Sequence, residues 1–262
     1  MRIHARRVSD GIVRGKVAKS TAPLSFLGEL DANTGKVENP QSELNGRSVT
    51  GTVLVFPEAR GSTVGPYVLY GAAKRGTAPL AMVVGTADAI VASAAVLANL
   101  PCVSGVDVAM LHDGEEVIVN GAEGSIEIPH VEENRVVTSL LQNEKGQVLL
   151  LKQPGTVRTY QGKWGGISGL LEDRDPVAQA YEVVEAALGL RREDLSPVGK
   201  GAVAYAREGG QGFVIHAYLF RTSRGDLRAA KGYSELAWVD PLQRAQYPAV
   251  AGLDRAITLL LA

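Results

Sequence analysis

The stretch best equipped for chemistry in this sequence is Arg60-Gly61-Ser62-Thr63-Val64-Gly65. It follows the apolar run Val53-Leu-Val-Phe56, which reads as a buried strand, and precedes an apparent helix over 63–75. A Gly-rich turn at a helix start leaves backbone N–H groups without intrahelical partners, and the helix dipole there favours an anion. Gly61 and Gly65 allow close backbone approach, and Arg60 adds a charged donor. A hydroxyl on such a turn can hold a phosphate or carboxylate, or act as an alkoxide base stabilised by those amides. Serine before a helix is more commonly a plain N-cap, worth about 1 kcal/mol. No Gly-Lys-Ser/Thr closes the motif, so it is not a Walker A loop.

Other reactive side chains are sparse. A single cysteine, Cys102, excludes an intramolecular disulfide, a Cys-rich zinc site and the thiolate cage of an iron–sulfur cluster on this chain. It follows Pro101 at a strand start and reads as a small buried hydrophobe. His4, His112, His130 and His216 are scattered, with no pair at metal-ligand spacing.

The elements that must position these residues fall into two halves. Up to about residue 130, short β segments alternate with helical stretches rich in small residues: strands over 78–84 and 101–106, a helix over 89–99, and a closing hairpin over 116–128. The stretch from Pro129 to Asn134 is polar and Pro-marked, and within it 130–134 is a candidate linker between domains 1–129 and 135–262. In the second half, 136–141 and 148–151 flank a hairpin turn. Asp175 caps a helix with Pro176 at its first position, and Gly189 closes it. Strands over 202–207 and 213–221 and a helix over 249–261 complete the pattern.

With 262 residues, 45% hydrophobic and 21% charged, the chain has the composition of a globular protein. A formal charge of -1, spread evenly over the halves, and 5% aromatics predict no nucleic-acid partner. No apolar run approaches the ~20 residues of a membrane span. No secretory h-region follows the charged amino terminus, so neither a membrane nor export is expected, and the cytoplasm is the default compartment.

Several ordered motifs carry a resemblance. They are Pro23-Leu-Ser-Phe-Leu-Gly28, Asp31-Ala-Asn-Thr-Gly35, Gly51-Thr-Val-Leu-Val-Phe-Pro57, Gly61-Ser-Thr-Val-Gly65 followed by Tyr67-Val-Leu-Tyr70, and the ending Asp113-Gly114, Val119-Asn-Gly121, Gly124. Together they resemble the small subunit of the aconitase X family, in its archaeal-type branch, over residues 1–129. The resemblance implies a swivelling β/β/α domain working with a large subunit that carries a [4Fe-4S] cluster. It implies hydro-lyase activity on a small phosphorylated hydroxy acid, the dehydration of (R)-5-phosphomevalonate to trans-anhydromevalonate 5-phosphate in isoprenoid synthesis. Ser62 is then the proton acceptor, with Arg60, Gly61, Thr63 and Gly65 holding substrate. A related branch dehydrates cis-3-hydroxy-L-proline, and a catalytically retired binding or scaffold protein is a further alternative. The chain departs from the family at Pro66, where a small polar residue is usual, and at Glu29, where Gly is usual.

Residues 131–262 resemble a Nudix domain, of α/β/α architecture. The resemblance rests on Lys163-Trp-Gly-Gly-Ile-Ser-Gly169, Glu172, Asp175-Pro176 through Ala180-Tyr181 to Gly189-Leu190, and the late segment Tyr233 to Pro241. Counting back from Gly189, the positions that would hold the Mg²⁺-binding carboxylates are Ala186 and Ala187, and the preceding Arg-Glu pair is Glu182 and Val183. Glu182 and Glu185 share a helix face but stand elsewhere in the motif, and Trp164 and Trp238 read as packing residues. Hydrolase activity and a metal site are therefore expected to be absent, leaving this half a structural, assembly or regulatory role.

Overall fold

Strand β3 (Ile12–Lys19) organises the first half because it belongs to two pairings at once. Its residues Ile12–Lys16 pair antiparallel with β7 (Glu116–Asn120), while Val17–Lys19 pair parallel with β4 (Val53–Phe56). On one side the ladder continues from β7 to β8 (Ser125–Glu127) and β1 (Arg2–His4). On the other it runs from β4 through β5 (Ala81–Val84) and β6 (Cys102–Ser104) to β2 (Arg6–Ser9). The computed structural model describes residues 1–156, 160–171, 174–224, 227 and 230–262, in two compact units, Met1–Val131 and Glu132–Ala262.

The parallel strands are buried on both faces, which is why Val-Leu-Val-Phe and Ala-Met-Val-Val read as continuous apolar runs. Leu54, Phe56, Met82 and Val84 pack against Leu69 and Ala72 of α2 (Gly65–Arg75) and Val91, Ala94 and Ala95 of α3 (Ala89–Ala98). The alternate residues Val53, Val55, Ala81 and Val83 are equally buried on the opposite face. There Gly15 of β3 backs onto Val53, and a Cβ at Gly15 would stand 3.2 Å from its Cγ2. Two sheet portions and one helical layer give the β/β/α arrangement. Cys102 is fully buried, and burial pushes its thiol up to about 12.

The expected elements are present with trimmed ends. Pro79 cannot donate to a ladder, and the strand expected over 78–84 begins at Ala81. The strand expected over 101–106 is confined to Cys102–Ser104.

In the second unit β9 (Glu132–Gln142) pairs parallel with β14 (Gln211–Arg221), and β14 pairs antiparallel with β13 (Ser196–Glu208). β10 (Val148–Lys152), β11 (Trp164–Gly165), β12 (Ile167–Leu170) and β15 (Glu235–Val239) complete the sheet. Alternate residues serve opposite faces. Val137, Leu141, Leu149 and Leu151 pack under Ala180 and Val184 of α4 (Pro176–Leu188), whereas Leu140, Val148 and Leu150 pack with Leu253 and Ile257 of α5 (Leu253–Leu261). The result is an α/β/α sandwich. The Asp175 side chain accepts hydrogen bonds from the amides of Val177 and Ala178, and Gly189 ends α4 at φ 69°.

Two boundaries need correction. The linker expected over 130–134 is shorter, because Glu132–Asn134 already pair with Gln211–Phe213. The last helix begins at Leu253 rather than 249, since Gly252 at φ 83° breaks helical geometry.

Two outcomes follow from the packing. At pH 8 a thiol-specific reagent leaves Cys102 unmodified in the native chain and labels it stoichiometrically after guanidinium denaturation; rapid native labelling would contradict its burial. Asp175→Ala lowers the unfolding free energy of the second unit by about 1 kcal/mol, read as a reduced urea midpoint at unchanged slope.

Candidate functional site

The Ser62 turn is held from below by a short zipper between two loops. After β4, residues 58–60 run parallel to Leu24, whose amide donates to the Glu58 carbonyl at 3.1 Å. The Leu24 carbonyl in turn accepts from the Arg60 amide at 3.0 Å. Gly61 then reverses the chain at φ 101°, a region that L side chains rarely adopt. Space enforces the same choice, because a Cβ there would lie 2.6 Å from Ser25 Oγ. Ser25 itself is fixed, its hydroxyl donating to the Leu27 carbonyl at 2.8 Å. Gly65 sits against Phe26 of the one-turn element α1 (Phe26–Glu29).

Between these anchors Gly61, Ser62, Thr63 and Val64 are exposed. The Ser62 carbonyl accepts from the Gly65 amide at 2.9 Å, and its hydroxyl accepts only a long contact, 3.4 Å, from the Val64 amide. The amides of Gly61, Ser62 and Thr63 have no acceptor among the described residues. Ser62 is therefore not the helix N-cap. That position falls to Val64, which makes no side-chain cap, and α2 starts at Gly65 rather than at 63. Pro66, with fixed φ and no N–H, suits the first helical turn and sets the start there. The arrangement offers an uncommitted hydroxyl, three free amides and the positive end of an eleven-residue helix, a combination that favours negative charge.

Arg60 is half exposed, and its Nη2 donates to Glu29 Oε1 at 2.6 Å. The Glu29 side chain is only 13% exposed, and its other oxygen, Oε2, is buried without a partner among the described residues. The turn is flanked by exposed apolar side chains, Leu27, Val64, Tyr67 and Tyr70.

The fold thus brings Arg60, Gly61, Ser62 and Thr63 to one exposed turn, while Gly65 is buried beneath it as a packing contact. Sequence reasoning missed the Arg60–Glu29 pair and the role of Ser25 in requiring Gly61. The only signal for the former was an acidic residue where the family carries glycine.

In the second unit, Glu182 is exposed and ion-paired with Arg174 at 3.1 Å, and Glu185 is exposed. Glu172 lies outside the described residues. No group of three or more His, Cys, Asp or Glu side chains placed to hold a metal occurs among the described residues. Trp164 is buried, with its ring edge-on to Tyr247 at 5.2 Å, and Trp238 is partly buried against the α4 face, both as packing residues. No described helix is long and apolar enough to cross a membrane.

The aconitase X swivel domain model matches residues 2–128. The phosphomevalonate dehydratase small subunit of Pyrococcus furiosus is 44% identical over 128 residues, covering 49% of this chain and 96% of the relative. That of Methanosarcina acetivorans is 40% identical over 131 residues, covering 49% and 91%. The holo-form aconitase X of Thermococcus kodakaraensis aligns with 49% of this chain and 98% of its own at 43% identity, with a TM-score of 0.48. Over the second half, a MutT protein from Methanosarcina mazei Go1 aligns with 50% of this chain and 94% of its own at 22% identity, with a TM-score of 0.41. Through its first half, the chain belongs to the aconitase X swivel domain family.

Proposed function

We propose that this chain is the small subunit of a hydro-lyase that dehydrates (R)-5-phosphomevalonate to trans-anhydromevalonate 5-phosphate. The observation that carries the reading is the exposed Ser62 hydroxyl on a turn with three free amides, in the segment shared with dehydratase small subunits. A [4Fe-4S] cluster does not fit this chain: several thiolates are needed, and the one cysteine is buried with its thiol near 12. The cluster is therefore assigned to a large-subunit partner.

On this chain the chemistry is proton transfer. Ser62, ionised and stabilised by the free amides and the amino end of α2, takes the proton from the carbon next to the substrate carboxylate and becomes a neutral hydroxyl. The carbon–hydrogen electron pair forms the new double bond as the 3-hydroxyl departs from the adjacent carbon on the partner's side. Arg60 and the amides of Gly61 and Thr63 hold an anionic group of the substrate, and Gly65 lets the turn sit close on Phe26. No titratable side chain bonds the Ser62 hydroxyl among the described residues, so its activation depends on the assembled site. The apolar flank of Leu27, Val64, Tyr67 and Tyr70 gives the partner a surface to cover, excluding water from the turn.

In the complex reconstituted anaerobically with the large subunit, Ser62→Ala lowers the turnover of (R)-5-phosphomevalonate by about 10³-fold while leaving assembly intact. Turnover of cis-3-hydroxy-L-proline instead would redirect the substrate assignment, and an assembled, cluster-loaded complex inactive on both would defeat the enzyme reading. Tyr67→Asp weakens association with the large subunit by about tenfold or more at unchanged melting temperature, measured by titration calorimetry. Unchanged affinity would place the interface elsewhere.

A further inference from the structure

We propose that Glu29 is a positioning residue, holding Arg60 so that its free guanidinium donors meet the anionic group of the substrate at the Ser62 turn. The nature of that substrate rests on the dehydratase reading; the hold of Glu29 on Arg60 is a property of this chain alone.

Glutamate is seldom buried unless paired, and Glu29 is nearly buried with one charged partner among the described residues, the Arg60 Nη2 at 2.6 Å. Its backbone is fixed on both sides. The Glu38 amide donates to its carbonyl at 2.7 Å, and the next residue, Leu30, donates to Phe26 at 3.3 Å. A rooted carboxylate therefore grips the tip of a half-exposed arginine whose own backbone is pinned to Leu24. The remaining donors of Arg60 have no acceptor among the described residues, so one edge of the fork is anchored and the rest is offered to a ligand. Leaving Oε2 buried and unpartnered is costly in the free chain, and that cost is hard to explain for a pair serving stability alone.

Two opposing effects decide the sign of any substitution. Glu29 lowers the attraction of Arg60 for an anion by cancelling charge, and raises it by removing the freedom of a long side chain before binding. The charge of Arg60 remains shared over its other donors, whereas the Oε1 contact removes the rotamer freedom of a half-exposed side chain before the ligand arrives, so positioning wins. Glutamine keeps a carbonyl acceptor for Nη2 without the charge, whereas alanine removes both. The two substitutions therefore separate the effects.

In the assembled enzyme, Glu29→Ala raises KM about tenfold with kcat within about twofold, while Glu29→Gln keeps KM within about threefold of the parent. In an Arg60→Ala background, Glu29→Ala adds no further change. A fall in KM in both variants would overturn the proposal in favour of simple charge cancellation. A full Glu29→Ala effect without Arg60 would overturn it in favour of a structural role, with melting temperatures of both variants as the control. If the wild-type complex dehydrates nothing, the functional reading fails, and the inference is read on the full chain by NMR of the Arg60 Nε–Hε group during titration with inorganic phosphate. A midpoint about tenfold lower in wild type than in Glu29→Ala supports it, and equal midpoints overturn it.

Discussion

Everything at the candidate site depends on the pairing of residues 58–60 with Leu24 and on the one backbone conformation that this pairing demands next. The two Leu24 hydrogen bonds fix where the chain leaves the sheet, and the wall formed by Ser25 leaves no room for a side chain on the following residue. Gly61 meets both requirements, the positive φ and the missing Cβ. Its reversal aims the next amides and the Ser62 hydroxyl outward instead of into the first turn of α2. A regular strand-to-helix passage would have spent that hydroxyl on a cap. Here the helix begins at Gly65, and the serine remains chemically free.

Free does not mean activated. An isolated serine is far too weak an acid to serve as a base near neutral pH, and among the described residues the Ser62 hydroxyl meets just a 3.4 Å approach from the Val64 amide. What the turn contributes is a fixed pattern of partial positive charge around the place where an alkoxide would form. Such dipoles act strongly only when water is excluded, because solvent at the surface competes for the same charge. An open turn bordered by Leu27, Val64, Tyr67 and Tyr70 is therefore half of a site. Its chemistry and its apolar border make the same demand for a covering partner.

Much of the fold was legible in the sequence because local rules and burial agreed. Apolar runs announced buried strands, and Asp175, Pro176 and Gly189 marked the ends of α4. Spacing marked Ser62 as a candidate because glycines bracket it between a strand and a helix, while the same spacing suits a cap and the proton-acceptor role came from the resemblance alone. The reading failed where a distant partner decided the outcome. Glu132–Asn134 look like linker residues, being polar beside a proline, yet they complete a parallel ladder with a strand 79 positions later. The Arg60–Glu29 pair joins residues 31 apart through a turn whose geometry no local pattern encodes. The helix start was misplaced because Ser62 satisfies the statistics of a cap, while Pro66 fixes the first turn further on.

The second unit shows how a sheet divides its residues between two helical layers. Its sheet alternates cleanly between two helical faces, so its residues are spent on packing in the ordinary way. On α4 the acidic residues that remain, Glu182 and Glu185, are exposed, and Glu182 is neutralised by Arg174. A divalent cation needs several oxygens converging with unspent charge, and a carboxylate already paired on the surface offers little of either. Ala186 and Ala187 keep the helix well formed while contributing no ligand, since alanine favours helix and carries no polar atom. The demands of folding and of ligation thus fall on different atoms of the same helix. In the first unit they coincide at Gly61, where the residue that lets the loops close is also the one that turns Ser62 outward.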